Sequence, residues 1–229
     1  MGREISKTII LNLKNEYFLY TGNIRGESYI YSPKDNYCQL LNLNENLLYR
    51  LNDHSRITSC CFYENEKGKI LIYNGSEKGS ILVYEKLNLN QNKFQFVKII
   101  HPHTKQINYM NVNQNLNMLI DCSNDGFINI YSLPNLKIIR VIYQSNVIIK
   151  KVFLSSSPLP SFITYSSENK LTSYSINGTK LSCINVENNF YEPLIITSNN
   201  FMDYLIYRYN RNYDSIIVKK LPYLGTIED

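Results

Sequence analysis

The sequence predicts an all-β chain in which a unit of four short strands recurs about five times, the pattern of a β-propeller. Three observations carry that expectation. Residue usage suits pleated strands, a turn residue stands five positions before an aromatic at intervals of 43 to 53 residues, and short apolar runs flank each such pair.

Of the 229 residues, twenty are Tyr, nine are Phe and none is Trp or Ala, which favours half-buried pleated surfaces over helices. Hydrophobic residues make up 44% and charged residues 19%, enough apolar surface to bury a core. The net charge is +5, and the basic residues are scattered as singles and pairs such as Lys150-Lys151 and Lys219-Lys220. That scatter argues against a nucleic-acid-binding arm. The five cysteines (Cys38, Cys60, Cys61, Cys122, Cys183) contain no CxxC pair and are odd in number. They point to buried free thiols in a reducing compartment rather than to a zinc ribbon or a disulfide framework. The opening "MGREISKTIILNLKNEYF" lacks the apolar core and cleavage site of a signal peptide. No run reaches the roughly 20 apolar residues that span a bilayer. The chain is therefore expected in the cytoplasm.

The repeat is anchored on a turn residue. Gly26 precedes Tyr31 by five positions, Gly79 precedes Tyr84, Gly126 precedes Tyr131 and Asn169 precedes Tyr174. Asn is the usual substitute for Gly where φ must be positive. A fifth unit, "YRYNRNYDSIIVKKLPYL", puts Asp214 at the turn and Lys219 at the aromatic position. Before each turn stands an apolar run such as "ILIYNG" or "MLIDCS". After each aromatic a polar segment leads to an outer run ("FQFVKII", "LKIIRVI", "LSCINV"), and a further run opens the next unit. A single four-stranded blade leaves both faces bare, and stacking neighbours covers them. The blades are expected at residues 1–52, 53–101, 102–143, 144–186 and 187–229 of one propeller region. Five blades fall short of the usual closure, so an open or truncated propeller with exposed edges is expected, poorly soluble or oligomeric when expressed alone.

The third unit, "HTKQINYMNVNQNLNMLIDCSNDGFINIYS", resembles a WD repeat. In that family a His, a strand Ser/Thr, a turn Asp and a Trp form a hydrogen-bonded chain. The resemblance assigns those places to His103, Asp121, Asp125 and Tyr131, with Asp121 in place of Ser/Thr and Tyr131 in place of Trp. In the second unit His54 remains, while Lys78 stands at the Asp position. The residues expected to hold the blades together are thus His54, His103, Asp125, Gly126, Tyr131, Gly79, Tyr84, Gly26 and Tyr31. A finer likeness lies in "DGFINIYSLPNLKIIRVI" and the later "LPYL". These are similar to the C-terminal WD-repeat propeller of BEACH-domain proteins, over about His54 to Leu224, with no counterpart of the BEACH domain itself.

That resemblance implies a non-enzymatic scaffold in vesicle traffic, lysosome or autophagy biology. Its partners would be other proteins, met through the loops Asp53–Ile57 and Ile100–Gln106 on one face, with peripheral contact to endomembranes. The alternative is a phosphoinositide-binding propeller using Arg208 and Arg211 in "YRYNRNY", although no Arg-Arg pair is present. His101 and His103 could form a metal clip, yet no carboxylate or thiol cluster joins them in sequence. No catalytic motif of the GxSxG, HExxH or P-loop kind occurs. No cofactor, metal, nucleic acid or small-molecule substrate is expected.

Overall fold

The computed structural model describes residues 5–13, 16–23, 28–32, 37–40, 57–65, 68–88, 91–144, 147–186, 190–198, 202–209 and 215–226, and every regular element among them is a strand. The strands form five four-stranded antiparallel sheets in strict chain order. The first holds β1 (Ile5–Leu13), β2 (Glu16–Asn23), β3 (Ser28–Ser32) and β4 (Tyr37–Leu40). The second holds β5 (Ile57–Glu64), β6 (Ile70–Ser76), β7 (Ile81–Asn88) and β8 (Gln91–Ile100). The third holds β9 (Ile107–Asn113), β10 (Met118–Ser123), β11 (Phe127–Ser132) and β12 (Lys137–Tyr143). The fourth holds β13 (Ile149–Ser155), β14 (Ser161–Ser166), β15 (Lys170–Ser175) and β16 (Lys180–Asn185). The fifth holds β17 (Phe190–Ser198), β18 (Asp203–Tyr209), β19 (Ser215–Lys220) and β20 (Gly225–Thr226). The chain divides into two compact units, residues 1–110 with 123–125 and residues 111–122 with 126–229.

One register runs through all five sheets. Tyr31 stands opposite Leu19, Tyr84 opposite Ile72, Tyr131 opposite Leu119, Tyr174 opposite Phe162 and Lys219 opposite Leu205. Bulges recur in step with it. The outer strands of the second, third and fourth sheets each carry one extra residue beside the aromatic, at Val97, Ile139 and Leu181. The opening strands of the first, second and fourth do the same at Ser6, Thr58 and Lys150. A bulge sharpens the local twist and bends the strand, so the second and fourth sheets, which carry both, are curved at matching places.

The second strands are the core. Every residue of β6 and β14 is buried, as is β10 beyond Met118. Burial on both faces explains why they read as continuous apolar runs rather than as alternation. In the second sheet Ile57, Cys60, Ile70, Ile72, Leu82, Tyr84 and Phe94 form one cluster, with Phe62, Phe96 and Ile99 against it. Tyr84 meets Phe96 edge-on at 5.9 Å. Tyr73 has no exposed surface. Burial lifts its hydroxyl far above the ordinary tyrosine range, with smaller contributions from Cys61 and Tyr63.

Because the folded value lies above the unfolded one of about 10, the stability tied to Tyr73 is complete below that pH and is lost as pH rises past it. Tyr73→Phe is therefore expected to move the onset of alkaline unfolding to higher pH, followed by circular dichroism. An unchanged onset would show that other groups drive it.

Successive opening strands are tied by side chains within each unit. The Thr58 hydroxyl donates to the Ile107 carbonyl at 2.6 Å and the Met110 amide donates to Ser59 Oγ at 2.8 Å. The Leu154 amide donates to Asn111 Oδ1 at 3.0 Å. Between the fourth and fifth sheets the tie is a carboxylate. Asp203, 1% exposed, accepts through Oδ2 from the Ser155 hydroxyl at 2.7 Å and from the amides of Ser156 and Ser157 at 2.7 and 3.1 Å.

Two Leu-Pro turns have one local build. Leu136 and Leu224, each fourth in its turn, both adopt φ 56 and are both buried. A left-handed conformation costs a leucine about 1–2 kcal/mol, which the buried side chain offsets. The expectation of buried thiols holds for Cys60 and Cys122, but Cys61 is half-buried and Cys183 is exposed. Cys183 faces outward because the outer strand β16 has a mixed, partly exposed pattern.

Candidate interaction face

Among the described residues, the loop after the second sheet and the loop after the third are clamped at both ends by backbone hydrogen bonds. The three turn anchors within the described residues, Gly79, Gly126 and Asn169, all have positive φ, at 85°, 87° and 56°. Each presents its carbonyl to a residue just beyond its sheet's outer strand, the third beyond β8 and the first beyond β12 and β16. His103 N–H donates to Gly79 at 3.3 Å, Gln144 N–H to Gly126 at 2.9 Å and Val186 N–H to Asn169 at 2.7 Å. The far end of the loop is held by the next turn, where Asn124 N–H donates to Gln106 and Ser167 N–H to Ile148, at 2.9 and 2.8 Å. The positive φ turns the anchor's carbonyl towards the loop, which is why the anchor is Gly or Asn.

The loop Ile100–Gln106 is held most firmly. A Cβ on Gly79 would stand 2.5 Å from the His103 carbonyl oxygen and 2.7 Å from that of Lys105, so the loop lies directly on the turn. His103 is buried, and its Nδ1 lies 3.1 Å from both carboxylate oxygens of Asp125. Asp125 Oδ2 also accepts from the Thr104 amide at 3.0 Å, and Ser123 Oγ donates to the Lys105 carbonyl at 3.0 Å. His101, exposed, bonds instead to Ser80 at 2.9 Å through Nδ1. The two histidines take different partners, and among the described residues no group of three or more His, Cys, Asp or Glu could hold a metal ion.

In the third sheet Tyr131 is fully buried, and its hydroxyl donates to Asp121 Oδ2 at 2.8 Å. Asp121 Oδ1 accepts from the Asn129 amide at 3.1 Å. A carboxylate here serves two donors, which a serine hydroxyl would do less well, so replacing Ser/Thr keeps the tie to the aromatic. The structure thus forms the pairs His103–Asp125 and Asp121–Tyr131. Gly126 sits beside Gln144 and the Tyr143 ring. Tyr84 is buried, and Tyr31 lies on β3. His54 and Gly26 lie outside the described residues, as do Asp214 and nearly all of the loop Asp53–Ile57.

What remains for a partner is the outer surface of these loops and turns. Glu77, Lys78, His101, Thr104, Lys105 and Asn124 are all exposed there. Sequence reasoning marked the loop Ile100–Gln106 but missed its seat on Gly79 and its grip on the third sheet's turn. The invariant five-residue offset from anchor to aromatic was the available signal.

Two solved structures share this layout. One is the computationally designed Ika8 protein, with a TM-score of 0.65 at 12% identity over 95% of this chain. The other is a chain in the mitotic checkpoint complex, which contains WD40 repeats, with a TM-score of 0.65 at 11% identity over 96% of this chain. The fold is a β-propeller. This propeller chain spans 58% and 62% of the length of those two chains. No family model and no curated protein matches its sequence. The propeller's five sheets are its blades, each running through its four strands in chain order.

Proposed function

We propose that this propeller is a non-enzymatic protein-interaction scaffold whose contact face is built on the loop Ile100–Gln106 and the turns that hold it. One observation carries the reading. The loop is fixed at both ends by backbone bonds and by the His103–Asp125 pair, while Thr104 and Lys105 stay exposed. A pre-ordered loop presents side chains to a partner at little further entropic cost. The partners are proteins. The finer reading is a scaffold of the BEACH-type trafficking class, working in the cytoplasm at endomembrane surfaces. It is supported by the shared build of the Leu133–Leu136 and Leu221–Leu224 turns.

The test is affinity purification with the whole chain, repeated with Thr104→Glu/Lys105→Glu. Both sites are exposed, so the fold is expected to survive. Loss of the principal partners is expected, and an unchanged set would remove the loop from the proposal. Flotation on phosphoinositide vesicles with Arg208→Ala tests the lipid alternative in parallel.

A further inference from the structure

The outer strand of the third blade differs from the other outer strands whose side chains are described. Ile138, Ile139, Val141 and Tyr143 on β12 are 51%, 43%, 49% and 61% exposed, on both faces of the strand. Of the other outer-strand side chains described, β8 exposes only Val97 among large apolar residues and β16 exposes none. Phe127, 38% exposed, packs against Tyr143 at 4.9 Å and makes an aromatic platform at one end.

The register shows which backbone groups face outward. Gln144 N–H donates to Gly126, so that pair is a hydrogen-bonded one, and alternation makes Ile142–Ile128 and Arg140–Ile130 hydrogen-bonded pairs as well. Val141 and Tyr143 lie in the intervening pairs and turn their N–H and C=O groups to the open edge. The straight segment Arg140–Tyr143 thus offers a row of backbone partners together with exposed apolar side chains.

Charge selects the occupant. Lys137 and Arg140 are the only charged residues on β12 and both are exposed. Arg140 Nη2 makes one long bond, 3.4 Å, to Asn177 Oδ1. Over residues 126–186 the bases are Lys137, Arg140, Lys150, Lys151, Lys170 and Lys180, against a single acid, Glu168, already bonded to Lys170. A second copy would bring the same excess of bases to the edge and no acid to meet Arg140. A bilayer would bury the outward N–H and C=O groups unsatisfied. An added strand satisfies them.

We propose that β12 is a docking edge for an acidic, extended segment of a partner protein, which adds as a fifth strand along Arg140–Tyr143. Its apolar side chains cover Val141 and the Phe127–Tyr143 platform, and its carboxylates meet Arg140 and Lys137. This deepens the scaffold reading and rests on it.

The test uses the whole chain and a labelled decapeptide alternating valine with glutamate, compared with its lysine counterpart by fluorescence anisotropy. The acidic peptide alone is expected to bind. Lys137→Glu/Arg140→Glu should weaken it about tenfold, as expected for loss of paired charges at an interface. Val141→Pro removes an outward N–H together with an exposed apolar side chain, while the N–H it lacks is not one bonded to β11, and should abolish binding. Should that variant fail to fold, the charge reversal at two exposed sites still decides. Absence of binding, equal binding of both peptides or indifference to charge reversal would overturn the proposal. Concentration-dependent self-association lost with the same variants would assign the edge to a second copy, and phosphatidylserine-vesicle binding that survives Val141→Pro would assign it to a membrane; either result overturns it. Partners that depend on Thr104 and Lys105 are expected to persist in every β12 variant, so failure here is separable from failure of the loop reading.

Discussion

Gly79→Ala is expected to lower the melting temperature by about 10 °C, from a loss of about 3–4 kcal/mol. The φ of +85° accounts for about 1–2 kcal/mol of it. The remainder comes from contact, because the new Cβ would meet the His103 carbonyl carbon and oxygen and the Lys105 carbonyl oxygen at 2.5–2.7 Å. All three are backbone atoms, so relief requires the whole loop to lift, which strips the Gly79–His103 bond and disturbs the His103–Asp125 pair. Gly178 is the control. Its φ is +88°, yet a Cβ there meets only Ile142 side-chain atoms at 3.6 and 3.7 Å. Gly178→Ala should therefore cost only the conformational part, about 1–2 kcal/mol. Equal losses at the two sites, by thermal melting, would mean that loop seating adds nothing.

Asp203→Ala is expected to cost about 3–5 kcal/mol, the range for removing one side of a buried charged network. The Ser155 hydroxyl and the Ser156 and Ser157 amides would lose the single oxygen that gathers them. Asp203→Asn keeps an acceptor oxygen and should recover about half of that loss. Hydrogen exchange at the Ser156 and Ser157 amides reports the break directly: both should exchange faster in the alanine variant while amides of β6 do not. Unchanged protection would show that the loop is held by other contacts.

The parts of this propeller that were legible in the sequence are those where chemistry leaves few choices. A turn needing positive φ admits Gly or Asn, so Gly79, Gly126 and Asn169 announced themselves at fixed offsets from Tyr84, Tyr131 and Tyr174. The buried second strands showed as unbroken apolar runs for the same reason. Asp203 did not announce itself, because its partners lie 46 to 48 residues earlier in the chain and a lone Asp before an apolar strand carries no motif. The bulges at Val97, Ile139 and Leu181 were equally silent, since an extra residue in an apolar run leaves the run looking the same. "LKIIRVI" was legible as an outer strand, but nothing in an apolar run shows that most of its residues, from Lys137 to Val141, stay exposed. Of the candidate face, the sequence supplied the loop and its histidine through family likeness. The bonds that fix the loop are made by backbone groups, which every residue but proline carries alike.

Those backbone clamps also bear on how such a chain ages. A joint made of N–H and carbonyl groups survives almost any replacement of the residues that contribute it, provided the anchor can still adopt its left-handed turn. Residues in the loops can therefore change at little cost to the architecture, and surface chemistry can differ while the scaffold persists. Chains that share this layout at a TM-score of 0.65 while agreeing at only 11–12% of positions fit joints of that kind. New binding specificities can arise on these loops without first securing a new fold.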